Sequence, residues 1–203
     1  MPINVANLIT IARVFLAIGT AALLWLPQEE WRWTAFVLTI LVIWADGIDG
    51  YFARKLNQTS KFGGILDIAG DRVVEMAYWI AFAILGWIPA FVPFLFLVRG
   101  TMVDAIRSHA SEQGYTAFGS NTMMQSGIGK FLVASNFSRF SYAVAKAVAF
   151  CLVIASHTNA GAQLPIVSAV AIFLVYFACA FCLIRGLPVI FEASFLFKAS
   201  ASD

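Results

Sequence analysis

Five acidic residues, Asp46, Asp49, Asp67, Asp71 and Glu75, fall within thirty residues of a chain that holds only eleven Asp and Glu in all. Asp46 and Asp49 are three apart, and Asp67 and Asp71 four apart, so on helices each pair leaves one face. Four carboxylates converging at low dielectric cannot all stay ionised unaided. Compact divalent cations suit an all-oxygen ligand set, and paired carboxylates from two helices with room for two metals point to metal-assisted phosphoryl chemistry. Lys55 and Lys61 are further positive charges in the same stretch. The plainer alternative is a buried salt-bridge network with Arg54 and Arg72 as partners. Gly50 and Ala53 share the Asp46/Asp49 side, and Gly63 and Gly64 follow. A face so poor in side chains admits either a flat ligand or a neighbouring helix.

The elements that must carry these residues follow from composition. The chain has 203 residues, 61% hydrophobic and 12% charged, with a mean hydropathy of +0.85. Soluble domains carry about 25% charged residues, so a water-soluble globule is excluded. The 15% aromatic content and low net charge exclude disorder. A net charge of +2 gives no reason to expect a nucleic-acid partner. The composition predicts an all-α integral membrane protein, a bundle of about six transmembrane helices forming a single transmembrane domain over residues 1–203.

The expected spans are 8–26, 33–52, 62–87, 90–109, 137–156 and 164–184, with a short interfacial segment at 1–6 and a long polar connection at 110–135. Only 164–184 is a charge-free stretch long enough to be unambiguous. The short link between the second and third spans makes them antiparallel neighbours, with their acids meeting at one depth. Arg54, Lys55, Lys61, Arg107, Lys130, Arg139, Arg185 and Lys198 fall in or beside the second, fourth and last connections, and only Arg32 in or beside the others. The positive-inside rule then places both termini, and the acids, at the cytoplasmic face.

Read together, Asp46-x2-Asp49-Gly50-x2-Ala53-Arg54-x8-Gly63-x3-Asp67-x3-Asp71 resembles the signature of the CDP-alcohol phosphotransferase (CDP-alcohol phosphatidyltransferase) family. The resemblance covers about an eighth of the chain. It implies that Asp46, Asp49, Asp67 and Asp71 hold two divalent cations, usually Mg2+, with Mn2+ as the alternative. Asp71 would also be the general base for the acceptor hydroxyl. Asp49, Gly50, Ala53, Arg54 and Gly63 would form the pocket for the donor, CDP-diacylglycerol or a similar CDP-lipid. A small polar alcohol would be the acceptor, CMP the leaving group, membrane lipids the surroundings, and a homodimer the assembly.

Four basic residues, Arg99, Arg107, Arg139 and Lys146, lie in or at the ends of spans, on the expected cytoplasmic side. Arg grips phosphate through paired donors, so they are candidates for a phosphorylated acceptor. The alternative is that they neutralise the acids or snorkel to lipid phosphates. Arg99-x7-Arg107 is similar to the fourth-span pattern of phosphatidylglycerophosphate synthases, and Lys146 resembles a basic residue on their fifth span. Gly100 and the long connection 108–138 depart from that pattern, and Asp71-Arg72 resembles phosphatidylinositol-type synthases. Glycerol 3-phosphate is therefore the favoured acceptor, with inositol or inositol phosphate next.

A divalent-cation transporter is the alternative from another class, but transport sites lie near the midplane in broken or repeated helices, and no repeat is visible here. For a purely structural membrane protein, five acids within spans would be an unexplained cost. Gly127-Ile-Gly-Lys130 lacks the first glycine and the Ser or Thr of a phosphate loop. The Asn57-Gln-Thr59 sequon falls in a connection assigned to the cytoplasm. Cys179 and Cys182 read as apolar filler, His109 and His157 as interfacial residues, and Trp31, Trp33 and Trp87 as an aromatic belt.

Overall fold

The computed structural model describes residues 5–55, 60–116, 122–194 and 196, without the side chains of 48–54 and 61. Those residues form α1 (Val5–Leu23), α2 (Glu29–Lys55), α3 (Lys61–Ile84), α4 (Phe91–Glu112), a short α5 (Gly127–Gly129) running into a π-helical turn (Lys130–Ala134), α6 (Asn136–Ser156), a short α7 (Asn159–Ala162) and α8 (Pro165–Glu192). No named strand occurs among the described residues; Thr116 and Thr122 form one isolated bridge. The protein is an all-α membrane protein. α1, α6 and α8 are long and apolar enough to cross a membrane, where the sequence singled out only 164–184.

Helix ends follow local chemistry. Ser60 caps α3, its Oγ accepting from the Gly63 amide at 3.0 Å. Gly86 ends it in the left-handed region at φ 72°, a conformation that costs glycine least. Pro165 opens α8, where its missing N–H is no loss. Several helices run past the expected spans, because apolar length measures membrane thickness and helix hydrogen bonding continues beyond it. Arg185, counted above with the last connection, accordingly lies inside α8, while Arg107 and Arg139 lie in α4 and α6 within their expected spans. Residues 1–4 of the expected interfacial segment lie outside the described residues; Val5 and Ala6 belong to α1.

The chain divides into two compact units, Met1–Pro93 with Ala147–Ile172, and Phe94–Lys146 with Phe173–Asp203. In the first, α1 packs against both α2 and α3. Its aromatic core centres on Phe150, whose ring stacks on Tyr78 at 4.9 Å and meets Trp79 edge-on at 4.7 Å. Thr10, Thr20 and Thr39 return their hydroxyls to the carbonyls of Ala6, Leu16 and Ala35, which keeps polar groups satisfied within apolar helices. Trp87 stacks on His157 at 4.0 Å, and Arg32 donates to the His157 carbonyl at 2.5 Å.

In the second unit, Val103, Ala110, Met123, Met124, Val133, Val189, Ala193 and Leu196 form one buried cluster. The connection 110–135 is therefore not a solvated link: Met123, Met124 and Val133 pack into this core, while 117–121 lie outside the described residues. Glu192 ties the segment down, accepting from the Gln125 amide at 2.7 Å, the Ser126 amide at 3.1 Å and Ser126 Oγ at 2.5 Å. Large apolar side chains such as Phe15, Trp44, Phe173 and Phe191 stand exposed on several helices. That distribution suits hydrocarbon as the solvent, where only the backbone and polar groups must be internally satisfied.

Candidate functional site

The first unit brings together three of the predicted acids. Asp46 on α2 and Asp67 and Asp71 on α3 each present a carboxylate oxygen, and these oxygens all lie within 4.8 Å of one another. Spacing on α3 and packing of α2 and α3 on α1 produce this convergence. All-oxygen ligands at this separation fit a hard cation such as Mg2+ or Mn2+. The signature positions Asp49, Gly50, Ala53 and Arg54 lie in α2, with side chains outside the described residues.

The three carboxylates are not enclosed by the protein; their side chains are 51%, 52% and 54% exposed. Arg72, named above as a partner for them, pairs with Glu75 one turn along α3 at 2.6 Å. Arg13 of α1 brings positive charge to all three acids. Its Nη1 pairs with Asp46, and its Nη2 donates to Asp71 Oδ1 at 2.9 Å and approaches Asp67 Oδ1 at 3.5 Å. In the sequence Arg13 is a single cation within an apolar run, with no motif around it that marks it for the site. The signal that could have found it is Asn7-x2-Thr10-x2-Arg13, a polar stripe along one face of an apolar helix.

The glycines divide in role. A side chain at Gly63 would meet Asn7 Oδ1 at 2.9 Å, so that glycine seats α1 on α3. A side chain at Gly64 would meet nothing within 4 Å among the described residues.

The four basic candidates fall in the second unit. Arg99 is buried under Gly186 of α8, where an added side chain would meet Arg99 Cγ at 2.7 Å. Lys146 sits over the Tyr142 ring at 4.5 Å, Arg139 is exposed on α6, and Arg107 is half-buried two turns beyond Arg99 on α4.

Close to Arg99 and Arg139 is a residue the sequence had marked only for topology. Arg185 is 4% exposed; its Nη1 donates to Ser138 Oγ at 2.7 Å, its Nη2 to the Val133 carbonyl at 3.3 Å, and its guanidinium lies 5.4 Å from the Tyr142 ring. Arg99 and Arg139 act on it as like charges. Arg99 Nε and Arg185 Nε have no hydrogen-bond partner among the described residues. Neither arginine snorkels outward, since both are buried.

The model of the CDP-alcohol phosphatidyltransferase family matches residues 3–191. The chain belongs to that family. Among its relatives, a CDP-diacylglycerol--glycerol-3-phosphate 3-phosphatidyltransferase of Aquifex aeolicus is 39% identical over 70 residues, 34% of this chain and 38% of that one. One of the same name from Haemophilus influenzae is 30% identical over 128 residues, 56% of this chain and 63% of its own. A phosphatidylinositol phosphate synthase of Streptomyces avermitilis is 39% identical over 72 residues, 33% and 29% of the two chains. In each pairing the match spans less than two thirds of the relative's length. Membership in the CDP-alcohol phosphatidyltransferase family accords with the membrane helices and with an acidic cluster suited to cations.

Proposed function

We propose that this protein transfers a phosphatidyl group from CDP-diacylglycerol to the hydroxyl of glycerol 3-phosphate, releasing CMP. The observation that carries this is the convergence of Asp46, Asp67 and Asp71 in a chain that matches the family over 3–191. Asp46, Asp49, Asp67 and Asp71 would hold two divalent cations, Mg2+ or Mn2+. Those cations would offset the diphosphate charge and the charge gathering on the attacking and leaving oxygens. Asp71 accepts the acceptor's hydroxyl proton. The freed oxygen forms a bond to the phosphorus bearing the lipid, and the bond from that phosphorus to the CMP oxygen breaks, its electron pair leaving with CMP. Gly50, Ala53 and Arg54 line the cytidine diphosphate pocket, and the position of Gly64, with nothing within 4 Å among the described residues, fits a ligand better than Gly63 does.

Arg185, Arg99, Arg139 and Lys146 bind the acceptor's phosphate, and Arg107 extends the same basic surface. Buried like charges are costly unless an anion joins them, and a phosphate accepts from several guanidinium groups at once. The reaction is cytoplasmic, both termini are cytoplasmic, about six helices span the bilayer, and residues 1–203 act as one catalytic domain, as a homodimer. The positive-inside count supports that orientation.

Inositol phosphate is the second reading, supported by the resemblance of Asp71-Arg72 and by the Streptomyces relative's name. The test supplies purified protein in vesicles containing CDP-diacylglycerol with labelled glycerol 3-phosphate or labelled inositol phosphate, and follows label into lipid. Incorporation from glycerol 3-phosphate is expected; incorporation from inositol phosphate alone would replace the acceptor assignment.

A further inference from the structure

α1 carries three buried polar side chains on one face, Asn7, Thr10 and Arg13. That face rests on the glycines of α3: a side chain at Gly70 would meet Thr10 Cγ2 at 3.0 Å and Arg13 Nη2 at 3.7 Å. The close approach delivers one guanidinium to oxygens from two helices. The Arg13 side chain is 2% exposed while the acids it touches are half-exposed. Asp46 Oδ1, Asp67 Oδ1 and Asp71 Oδ1, to which it is directed, belong to the same carboxylates that would ligate a cation. A guanidinium does not deprotonate in a protein, so this charge cannot be shed. A cation approaching from the open side must compete with it for lone pairs and meets a cluster already partly neutralised.

We propose that Arg13 is a resident counter-charge that holds the three carboxylates in register and weakens divalent-cation binding until an anionic diphosphate arrives. This rests on the cation-site reading above. Without the diphosphate, the guanidinium and the cation repel each other across a few ångströms. With it, the added negative charge offsets that repulsion, and cation and donor bind as a coupled pair. Arg13 is thus a positioning residue that acts through the acids. The arrangement also guards the cluster, because three bare carboxylates would otherwise repel one another and splay.

The experiment measures Mn2+ binding by the full chain in lipid nanodiscs, from the electron paramagnetic resonance signal of free Mn2+, with and without CDP as the probe. The wild type is expected to bind Mn2+ weakly alone and about tenfold tighter with CDP, the scale of one unit charge about 6 Å from a divalent cation at the dielectric of water. Arg13→Gln is expected to bind Mn2+ alone about tenfold tighter than wild type and to lose most of the CDP effect. Arg13→Lys, which restores the charge, is expected to return towards wild type on both counts. An Arg13→Gln protein that melts as a folded chain yet binds Mn2+ no tighter would overturn the proposal. So would a wild type whose Mn2+ affinity is already as high without CDP, a result that needs no variant. If neither wild type nor variants bind Mn2+ with or without CDP, the cation-site reading itself falls and the proposal with it.

Discussion

Arg13 Nη2 donates to Asp71 Oδ1 at 2.9 Å across 58 positions of sequence. The last acid of the signature is therefore held by a helix that lies outside it. The same guanidinium reaches Asp46 on α2, so α1 fastens the two acid-bearing helices to each other through a single side chain. In this protein the acidic cluster is a three-helix construction, and changes on α1 should be felt at the acids.

Asp71→Asn removes the proposed base while keeping a side chain of the same shape. Transfer should fall by about 10²–10⁴-fold, the usual contribution of a positioned base. CDP-diacylglycerol binding, measured separately by calorimetry, should weaken far less than transfer does, because Asp46, Asp49 and Asp67 remain to hold cations. Turnover retained within tenfold would reassign the base.

Gly70→Leu forces a side chain into Thr10 Cγ2 and Val14 Cγ2, which lie 3.0 and 3.3 Å from the position of an added Cβ. Overpacking of this kind costs about 1–3 kcal/mol, and here it also moves Arg13 from the acids. Gly64→Leu meets nothing within 4 Å among the described residues and should leave the melting temperature nearly unchanged. Thermal melts of the two variants in the same detergent compare them directly.

The acids were legible because their spacing of three and four positions is a property of single helices. Membrane residence was legible too, since 61% hydrophobic and 12% charged residues leave no other compact state. Arg13 and Arg185 were not. Each is one cation at the edge or middle of an apolar run, and its partners lie on other helices at separations such as the 54 positions between Arg13 and Asp67 or the 47 between Arg185 and Ser138. No period in the sequence encodes such a meeting; it exists only after the helices pack. The packing of the connection 110–135 was not legible for a related reason. Its polar composition hides Met123, Met124 and Val133, whose burial depends on α4 and α8.

Arg185→Gln should raise the KM for glycerol 3-phosphate by about tenfold or more, as expected for losing a charged hydrogen bond to phosphate. The KM for CDP-diacylglycerol should stay within twofold of wild type by this account, because the donor meets the acids instead. Initial rates with each substrate varied in turn make the measurement. Equal effects on both substrates would argue against a phosphate role.

Burial lowers the His157 imidazole below its ordinary value of 6.5, and Arg32 beside it pushes the same way, against the hydrogen bond to the Val153 carbonyl. The unfolded chain then takes up this proton at a higher pH than the folded one does. His157 therefore contributes stability fully above about pH 6.5, and that contribution is lost as the pH falls below it. Melting temperatures between pH 7.5 and 5 should fall for the wild type and fall less steeply for His157→Phe, which can keep the stack on Trp87.

Glu192→Ala removes the acceptor for the Gln125 and Ser126 amides and for Ser126 Oγ. Because the group is partly exposed, the loss should be about 1 kcal/mol. Amide exchange at 125–129 should quicken, while exchange in α3 stays as it was.

The central claim is metal-dependent transfer from a CDP-lipid, and release of labelled CMP from CDP-diacylglycerol tests it most directly. The full chain in vesicles should release CMP only when glycerol 3-phosphate and Mg2+ or Mn2+ are both present, and chelation should stop it reversibly. Absence of CMP release with every acceptor and either cation would contradict the claim and favour a cation-transport role for the acids.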